Sequence, residues 1–471
     1  MQDSPSRRPG DRIIRRARVA PVTIDVGQRP VAHPKTTPTL ILVYGFAVLA
    51  AFGTFLLSLP IANEGPGFTP FMTAFFTAAS AATVTGLVTV DTATFWSPFG
   101  QAVILVLMQL GGLGIMIFST LIFLILGRRI GLRERLALRE TTGVAMVGGI
   151  VRMIRRIALV VIVAELLAFI AFSIRFAFDF PLPTALWHGL FHSISSFNNA
   201  GFVVLPSNGL QAFQRDASVM ILTAVLIMLG GISVTLLADM ATQRRFNRFS
   251  LDTKLVLSLS VALWALGMII VFASEYTNDA TLGPMGIGGK LMTAFFASIS
   301  GRTAGFEAVP VASMQQFTWL AFMALMFIGG VAGSTAGGIK VNTLGVILAA
   351  VNSAIHGRPK AEAFRTQVPD ELVSKALTVA VLGIVTILIA VFVLTTVEDA
   401  PPIGLLFETV SAFGTVGNST GVTPTLSTAG QFIIIFLMFS GKIGPLTLML
   451  ALARRQKPSR FRFAEESLRI G

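Results

Sequence analysis

Apolar residues in this chain come in runs of two lengths, and the lengths alternate in a fixed order. Long runs with almost no charge cover residues 39–60, 99–126, 157–174, 217–238, 255–274, 308–352, 376–397 and 429–452. Each meets the roughly 18–20 residues that a helix needs to cross a bilayer. Inside each successive pair lies a shorter apolar run, at 68–80, 183–195, 287–300 and 401–411. Runs of that length cannot span, so they predict re-entrant half-helices. Irregular backbone at membrane depth is tolerated only where protein buries it or where it lines water. The order span, half-helix, loop, span therefore occurs four times, over 38–128, 129–245, 246–366 and 367–453. The prediction is an all-α polytopic membrane protein with eight transmembrane helices and four half-helices. Four tandem helix–pore-loop–helix repeats would surround a single pore with pseudo-fourfold symmetry.

The half-helices share an ending. Phe and Ser stand four apart in each, as Phe76/Ser80, Phe191/Ser195, Phe296/Ser300 and Phe407/Ser411. A glycine follows the serine by six, six, five and six positions, at Gly86, Gly201, Gly305 and Gly417. The segments so defined are Thr83-Val84-Thr85-Gly86, Asn198-Asn199-Ala200-Gly201, Arg302-Thr303-Ala304-Gly305 and Gly414-Thr415-Val416-Gly417. A pore that strips an ion of its water must offer several oxygens at once, and rings of backbone carbonyls do so. Glycine permits the φ values that such a loop needs and a Cβ forbids. A lone Thr-Val-Gly means little, but four matched loops predict a filter, with one dominant K+ site at the ring Gly86, Gly201, Gly305 and Gly417.

Composition agrees and narrows the class. Only 13% of the 471 residues are charged, 54% are hydrophobic, and the mean hydropathy is +0.77. Soluble domains carry about 25% charged residues. With no Cys, disulfides and thiolate metal sites are excluded. The net charge of +13 raises nucleic acid as a partner, but 31 of the 36 Lys and Arg lie in the two tails and in alternate connections between spans. That is the positive-inside pattern, which places both termini in the cytoplasm of a plasma membrane protein. Anionic lipid and a cytoplasmic protein suit those basic loops, and nucleic acid does not. Residues 1–37 lack the regions of a cleaved signal peptide and read as a basic tail, with a surface helix over Asp11 to Val19 as the alternative. The tail at 454–471 is also basic and cytoplasmic. No Walker loop, HExxH or ordered nucleophile points to an enzyme.

Further candidates lie in the second spans. Gly111-Gly112, Gly230-Gly231, Gly329-Gly330 and Gly441 recur in step with the filter glycines, either as close-packing residues or as marks of one duplicated unit. The glycine-rich stretch 329–340 has poor helix propensity and breaks the second span of the third repeat. Lys442 is an intramembrane charge and so a functional candidate, facing either the pore or a carboxylate of the bundle. Glu165, read beside Arg175, suits a structural hydrogen bond better than a proton relay. His188 and His192 share a face but have no third ligand nearby, so they read as packing groups. Arg302 braces its loop from behind, since a cation aimed into a K+ pore would oppose conduction.

Phe191-His-Ser-Ile-Ser-Ser-Phe-Asn-Asn-Ala-Gly-Phe202, Arg302-Thr-Ala-Gly-Phe306, Gly333-Ser-Thr-Ala-Gly-Gly-Ile-Lys340 and Ser411-Ala-Phe-Gly-Thr-Val-Gly417 resemble signatures of the Trk/Ktr/HKT superfamily of potassium transporters. The resemblance covers about Thr39 to Leu452 and is closest to the membrane subunit of bacterial Ktr systems, since only a polar tail precedes Thr39. It implies K+ uptake, with K+ as substrate, and Gly86 points to potassium where plant relatives with serine prefer sodium. Na+ stays open as a coupling or activating ion, and a sodium-permeable carrier of the same architecture is the alternative. The resemblance further implies an intramembrane gate loop at Gly329, Gly330, Gly333, Ser334, Thr335, Ala336, Gly337, Gly338 and Lys340, contacted by Lys442. It implies a homodimer seated on a cytoplasmic ring of regulatory subunits, which bind the nucleotide; this chain itself needs no cofactor. The chain departs from the family pattern at Val331-Ala332, where Ser-Pro is usual, at Lys442 for Arg, and at Asn418 for Leu.

Overall fold

A computed structural model describes residues 38–114, 150–206 and 209–444. Both tails, the possible helix over Asp11 to Val19, most of the basic connection 128–156 and the far ends of two second spans lie outside the described residues.

The four repeats are built alike. The first has α1 (Pro38–Ser58), the short α2 (Phe71–Thr83) and α3 (Pro98–Leu113). The second has α4 (Ile150–Phe176), α5 (Leu182–Phe197), α6 (Ala217–Gly231) and α7 (Val234–Gln243). The third has α8 (Leu251–Glu275), α9 (Ile287–Thr303), α10 (Gln316–Phe327) and α11 (Val341–Ile355). The fourth has α12 (Asp370–Val397), α13 (Pro402–Gly414) and α14 (Thr428–Ile443). A two-residue hairpin, Glu362–Ala363 with Thr366–Gln367, joins the last two repeats.

Local chemistry sets the boundaries. Pro70, Pro181 and Pro401 cap three of the half-helices, where a fixed φ and a missing N–H start a helix at no cost. Ser97, Asp216 and Ser427 cap the second spans with side-chain oxygens. In the third repeat, Glu275 on α8 takes that place by accepting from the Gln315 amide at 2.9 Å.

Each half-helix packs on the second span of the repeat before it: α5 on α3, α9 on α6, α13 on α10, and α2 on α14. The last pairing closes the circle. The four phenylalanines are the wedges in these joints and are almost fully buried. Phe191 lies among first-repeat residues such as Leu57 and Met108, and Phe296 among second-repeat residues such as Ala224 and Ile227. Outward, Phe52, Phe55, Ile162, Val381 and Phe392 are exposed, as expected of a surface that meets lipid chains.

The second spans differ from the continuous helices expected over 99–126, 217–238 and 429–452. α3 stops at Gly114 and α14 at Gly444, both with positive φ, and α6 turns into α7 through 98°. Close packing is the cause. A Cβ on Gly111 would lie 2.0 Å from the Ala82 carbonyl, and one on Gly230 or Gly441 would lie 1.7 Å from those of Phe197 or Phe413. Each second span thus presses its backbone onto the end of its own half-helix, and the glycines that allow this also weaken the helix there. Packing and duplication, weighed as alternatives, are one feature.

Candidate ion pathway

Gly86, Gly201, Gly305 and Gly417 form a closed ring. Each holds a φ between +69° and +99°, the left-handed region open to glycine. A Cβ on Gly86 would lie 2.4 Å from the Ala200 carbonyl, on Gly201 2.6 Å from Ala304, on Gly305 2.2 Å from Val416, and on Gly417 2.3 Å from Thr85. Every oxygen named belongs to the residue just before the next glycine. The loops therefore meet head to tail in chain order, and the fourth returns to the first.

The loops are held by the serine that precedes each glycine. The Ser80, Ser195, Ser300 and Ser411 carbonyls accept from Thr85, Ala200, Gly305 and Val416 N at 2.8 to 3.0 Å. Their hydroxyls work in two ways. Ser80 and Ser411 accept from Gly86 and Gly417 N, while Ser195 and Ser300 donate to the carbonyls of Phe202 and Phe306. The shorter step in the third repeat has a simple origin. Val84, Asn199 and Thr415 adopt left-handed φ of 58°, 57° and 48°, and the third loop has no such residue because α9 runs on to Thr303. A β-branched residue in that conformation is strained, as tightly held functional loops often are.

Several side chains of the segments brace rather than line. Asn198 donates to Gln109 at 2.8 Å and Glu165 at 3.1 Å, so Glu165 makes the structural bonds expected of it. Asn199 meets the Thr303 hydroxyl at 3.2 Å, and Thr83 meets Thr85 at 2.8 Å. Arg302 is turned away from the ring and donates to the Ile328 and Gly329 carbonyls at 3.2 and 3.0 Å.

Glu408, unremarked within its apolar half-helix, organises the fourth loop. Its carboxylate accepts from Ser419 Oγ, Thr420 N, Thr420 Oγ1 and Thr423 Oγ1 while fully buried. Glu275 does the same for Asn278, Thr281, Gln315 and Thr318. A carboxylate inside an apolar helix was the available signal. Glu408→Ala strands four donors at about 1 kcal/mol or more each; the expected result is a lower melting temperature in detergent and little protein in the membrane fraction. Wild-type yield and melting would refute this role.

The stretch from Gly329 to Lys340 leaves the helix and lies against three other parts of the molecule. Val331 N and Thr335 N donate to the Gly231 and Gly230 carbonyls at the end of α6. Gly337 meets the fourth glycine-ended segment, where a Cβ would lie 2.2 Å from Thr415 Oγ1. Gly338 sits against Gly414, and the Ser334 hydroxyl has no partner among the described residues. Lys340 Nζ donates to the Ala336 carbonyl at 2.5 Å and Lys442 Nζ to that of Thr335 at 2.5 Å. With Arg302, three cations grip this loop, all through backbone carbonyls. No ion pair involves them among the described residues, so Lys442 meets the loop rather than a carboxylate. Ala332 N donates to Asn342 Oδ1 at 2.8 Å, a bond that a proline there could not make.

His188 and His192 pack in an aromatic cluster with Phe172, Phe176, Phe180 and Phe306, and His192 also bonds Thr223. No metal-binding cluster of His, Asp or Glu occurs among the described residues.

The profile of a family described as "Cation transport protein" (TrkH) matches residues 33–463. Ktr system potassium uptake protein B of Bacillus subtilis (strain 168) is 42% identical over 421 residues, covering 89% of this chain and 94% of that protein. Potassium/sodium uptake protein NtpJ of Enterococcus hirae is 33% identical over 443 residues, covering 93% and 98%. Among solved structures, the potassium transporter TrkH from Vibrio parahaemolyticus superposes with a TM-score of 0.71 at 16% identity, over 90% of this chain and 86% of that one. At that identity the likeness concerns the fold alone.

Proposed function

From the premise that this chain belongs to the TrkH family of cation transport proteins, we propose that it is the ion-translocating subunit of a Ktr-type potassium uptake system. The family's activity is transport rather than catalysis. The observation that carries the reading is the closed ring of four glycines, each against the carbonyl before the next. Backbone oxygens gathered at one ring suit a dehydrated K+, and a glycine in the first loop, as in the other three, leaves the ring free of side chains. K+ passes the ring and then the loop Gly329 to Lys340, which lies at the Thr415 end of the filter and acts as the gate. NtpJ is named for both potassium and sodium, so Na+ is kept as a second ion, carried or activating.

The partner reading follows the same premise. A Ktr system has more than one component, and two copies of this chain would sit on a cytoplasmic ring of nucleotide-binding subunits. The basic connections face that ring and the anionic lipid of the inner leaflet, with both termini cytoplasmic. α11 continues the gate loop toward the hairpin at 362–367 and gives the ring a lever on the gate.

The test is uptake at low external K+ in a bacterial strain without its own uptake systems, with a Ktr-type regulatory subunit co-expressed. Growth rescue by the intact chain, and loss of rescue or a Na+ leak with Gly86→Ser, is the expected result. No rescue by a membrane-inserted chain with its partner present would overturn the proposal.

A further inference from the structure

Two residues beyond the glycine ring are not explained by the ring itself. Glu307 follows Gly305 by two positions, and Asn418 follows Gly417 by one. The two glycines touch, since a Cβ on Gly305 would lie 2.9 Å from Gly417 Cα. Loops three and four thus bring Glu307 and Asn418 together at the end of the filter opposite the gate. The Asn418 side chain and the Ser419 backbone amide lie within reach of the Glu307 carboxylate, and Val311 N donates to it across a long 3.4 Å. No Lys, Arg or His pairs with Glu307 among the described residues.

Asn418 is 1% exposed, and its Oδ1 has no hydrogen-bond partner among the described residues. A buried amide oxygen left bare costs on the order of 1–3 kcal/mol. The amide cannot turn over to relieve it, because its oxygen would then face the carboxylate. Glu408, an acid whose charge acts on Glu307, already has its four donors. What remains is a carboxylate and, on the same amide that faces it, a bare oxygen, with no Lys, Arg or His paired to either among the described residues.

We propose that Glu307 and Asn418 form an outer binding site for a monovalent alkali cation, held by side-chain oxygens just before the glycine ring. The site rests on the transport reading above, but its chemistry is separate from the ring's backbone oxygens. A hard cation takes carboxylate and amide oxygens readily, and a partly dehydrated ion supplies the partner that Asn418 Oδ1 lacks. The other two loops carry Val88 and Val203 at the positions two after their glycines. The site is therefore one-sided, on the seam between loops three and four.

The test uses the full-length protein in detergent, melted across KCl, NaCl and choline chloride series at constant ionic strength. The half-stabilising concentration of K+ or Na+, with choline inert, defines the bound ion and says which of the two the site prefers. Asn418→Leu removes both polar atoms at similar size, and is expected to raise that concentration about tenfold. Asn418→Asp keeps an oxygen and restores or tightens binding. If Asn418→Leu fails to fold, Glu307→Gln in the same titration decides. Unchanged half-stabilising concentrations in Asn418→Leu, or in Glu307→Gln where the former is lost, overturn the site, as does equal stabilisation by choline. Uptake by the wild-type chain, run in parallel, reports on the transport reading alone. A chain that transports K+ with an unaltered Leu variant loses the outer site and keeps its function; a chain that binds but does not transport loses the function and keeps the site.

Discussion

Gly305→Ala is expected to cut K+ uptake severely while leaving the protein in the membrane. The left-handed conformation costs an alanine about 1–2 kcal/mol. The greater cost is steric, since the new Cβ would stand 2.2 Å from the Val416 carbonyl and 2.9 Å from Gly417 Cα. Both are backbone atoms of the neighbouring loop, and Val416 is fixed in turn by its bond to Ser411. The ring must open or tilt, and every oxygen set by it moves. Uptake should fall roughly tenfold or more, since displacing even one pre-set oxygen costs 1.4 kcal/mol or thereabouts. Gly67→Ala is the control. Gly67 has a φ of +95° but nothing within 4 Å, so it shares the conformational cost without the collision. Near-normal uptake in Gly67→Ala with loss in Gly305→Ala would assign the effect to the ring. Normal uptake in both would mean that the glycines do not form the filter.

Lys442→Met should speed K+ flux. The lysine ties α14 to the loop Gly329 to Lys340, through Thr335 O, and it places a positive charge beside the path that the proposal gives to a cation. Methionine has a similar length and neither the bond nor the charge. With Lys340 and Arg302 still in place the loop keeps its other ties, so initial uptake should rise roughly threefold to tenfold, the scale of a single weakened charge contact. Lys442→Arg keeps the charge and should stay close to the wild type. Slower uptake in the Met variant at equal membrane abundance would show that Lys442 supports the open pathway instead.

The repeat was legible because its signals are short-range. A phenylalanine, a serine four later and a glycine near the sixth position fix one half-helix and one turn, and all four copies fold as that spacing predicts. The interruption of the second spans was not legible, except around Gly329 to Lys340. In 217–238 the helix-weakening pair is only Gly230-Gly231, which also suits ordinary packing. What breaks the helix is the approach of Phe197 O, a partner about thirty residues away in sequence. The roles of Asn198 and Glu408 were hidden for a related reason. Asn198 sits in the second glycine-ended segment yet spends its side chain on Gln109 and Glu165, which belong to other helices. Glu408 satisfies a loop that follows it, and nothing in its own half-helix shows that those hydroxyls will return to it. Arg302 was readable by elimination, because no cation fits a K+ path, but its partners were not.

The cations that hold the loop Gly329 to Lys340 all end on amide carbonyls. A lock made of carboxylates would loosen as the surroundings acidified, because each acceptor would take up a proton and lose its charge. Amide oxygens have no such transition in any range a cell meets. The grip on Ile328, Gly329, Thr335, Ala336 and Gly337 therefore has no acid-sensitive half, and a drop in pH would not release it from the acceptor side. The loop therefore keeps its carbonyl ties through a fall in pH that would open a lock made of carboxylates.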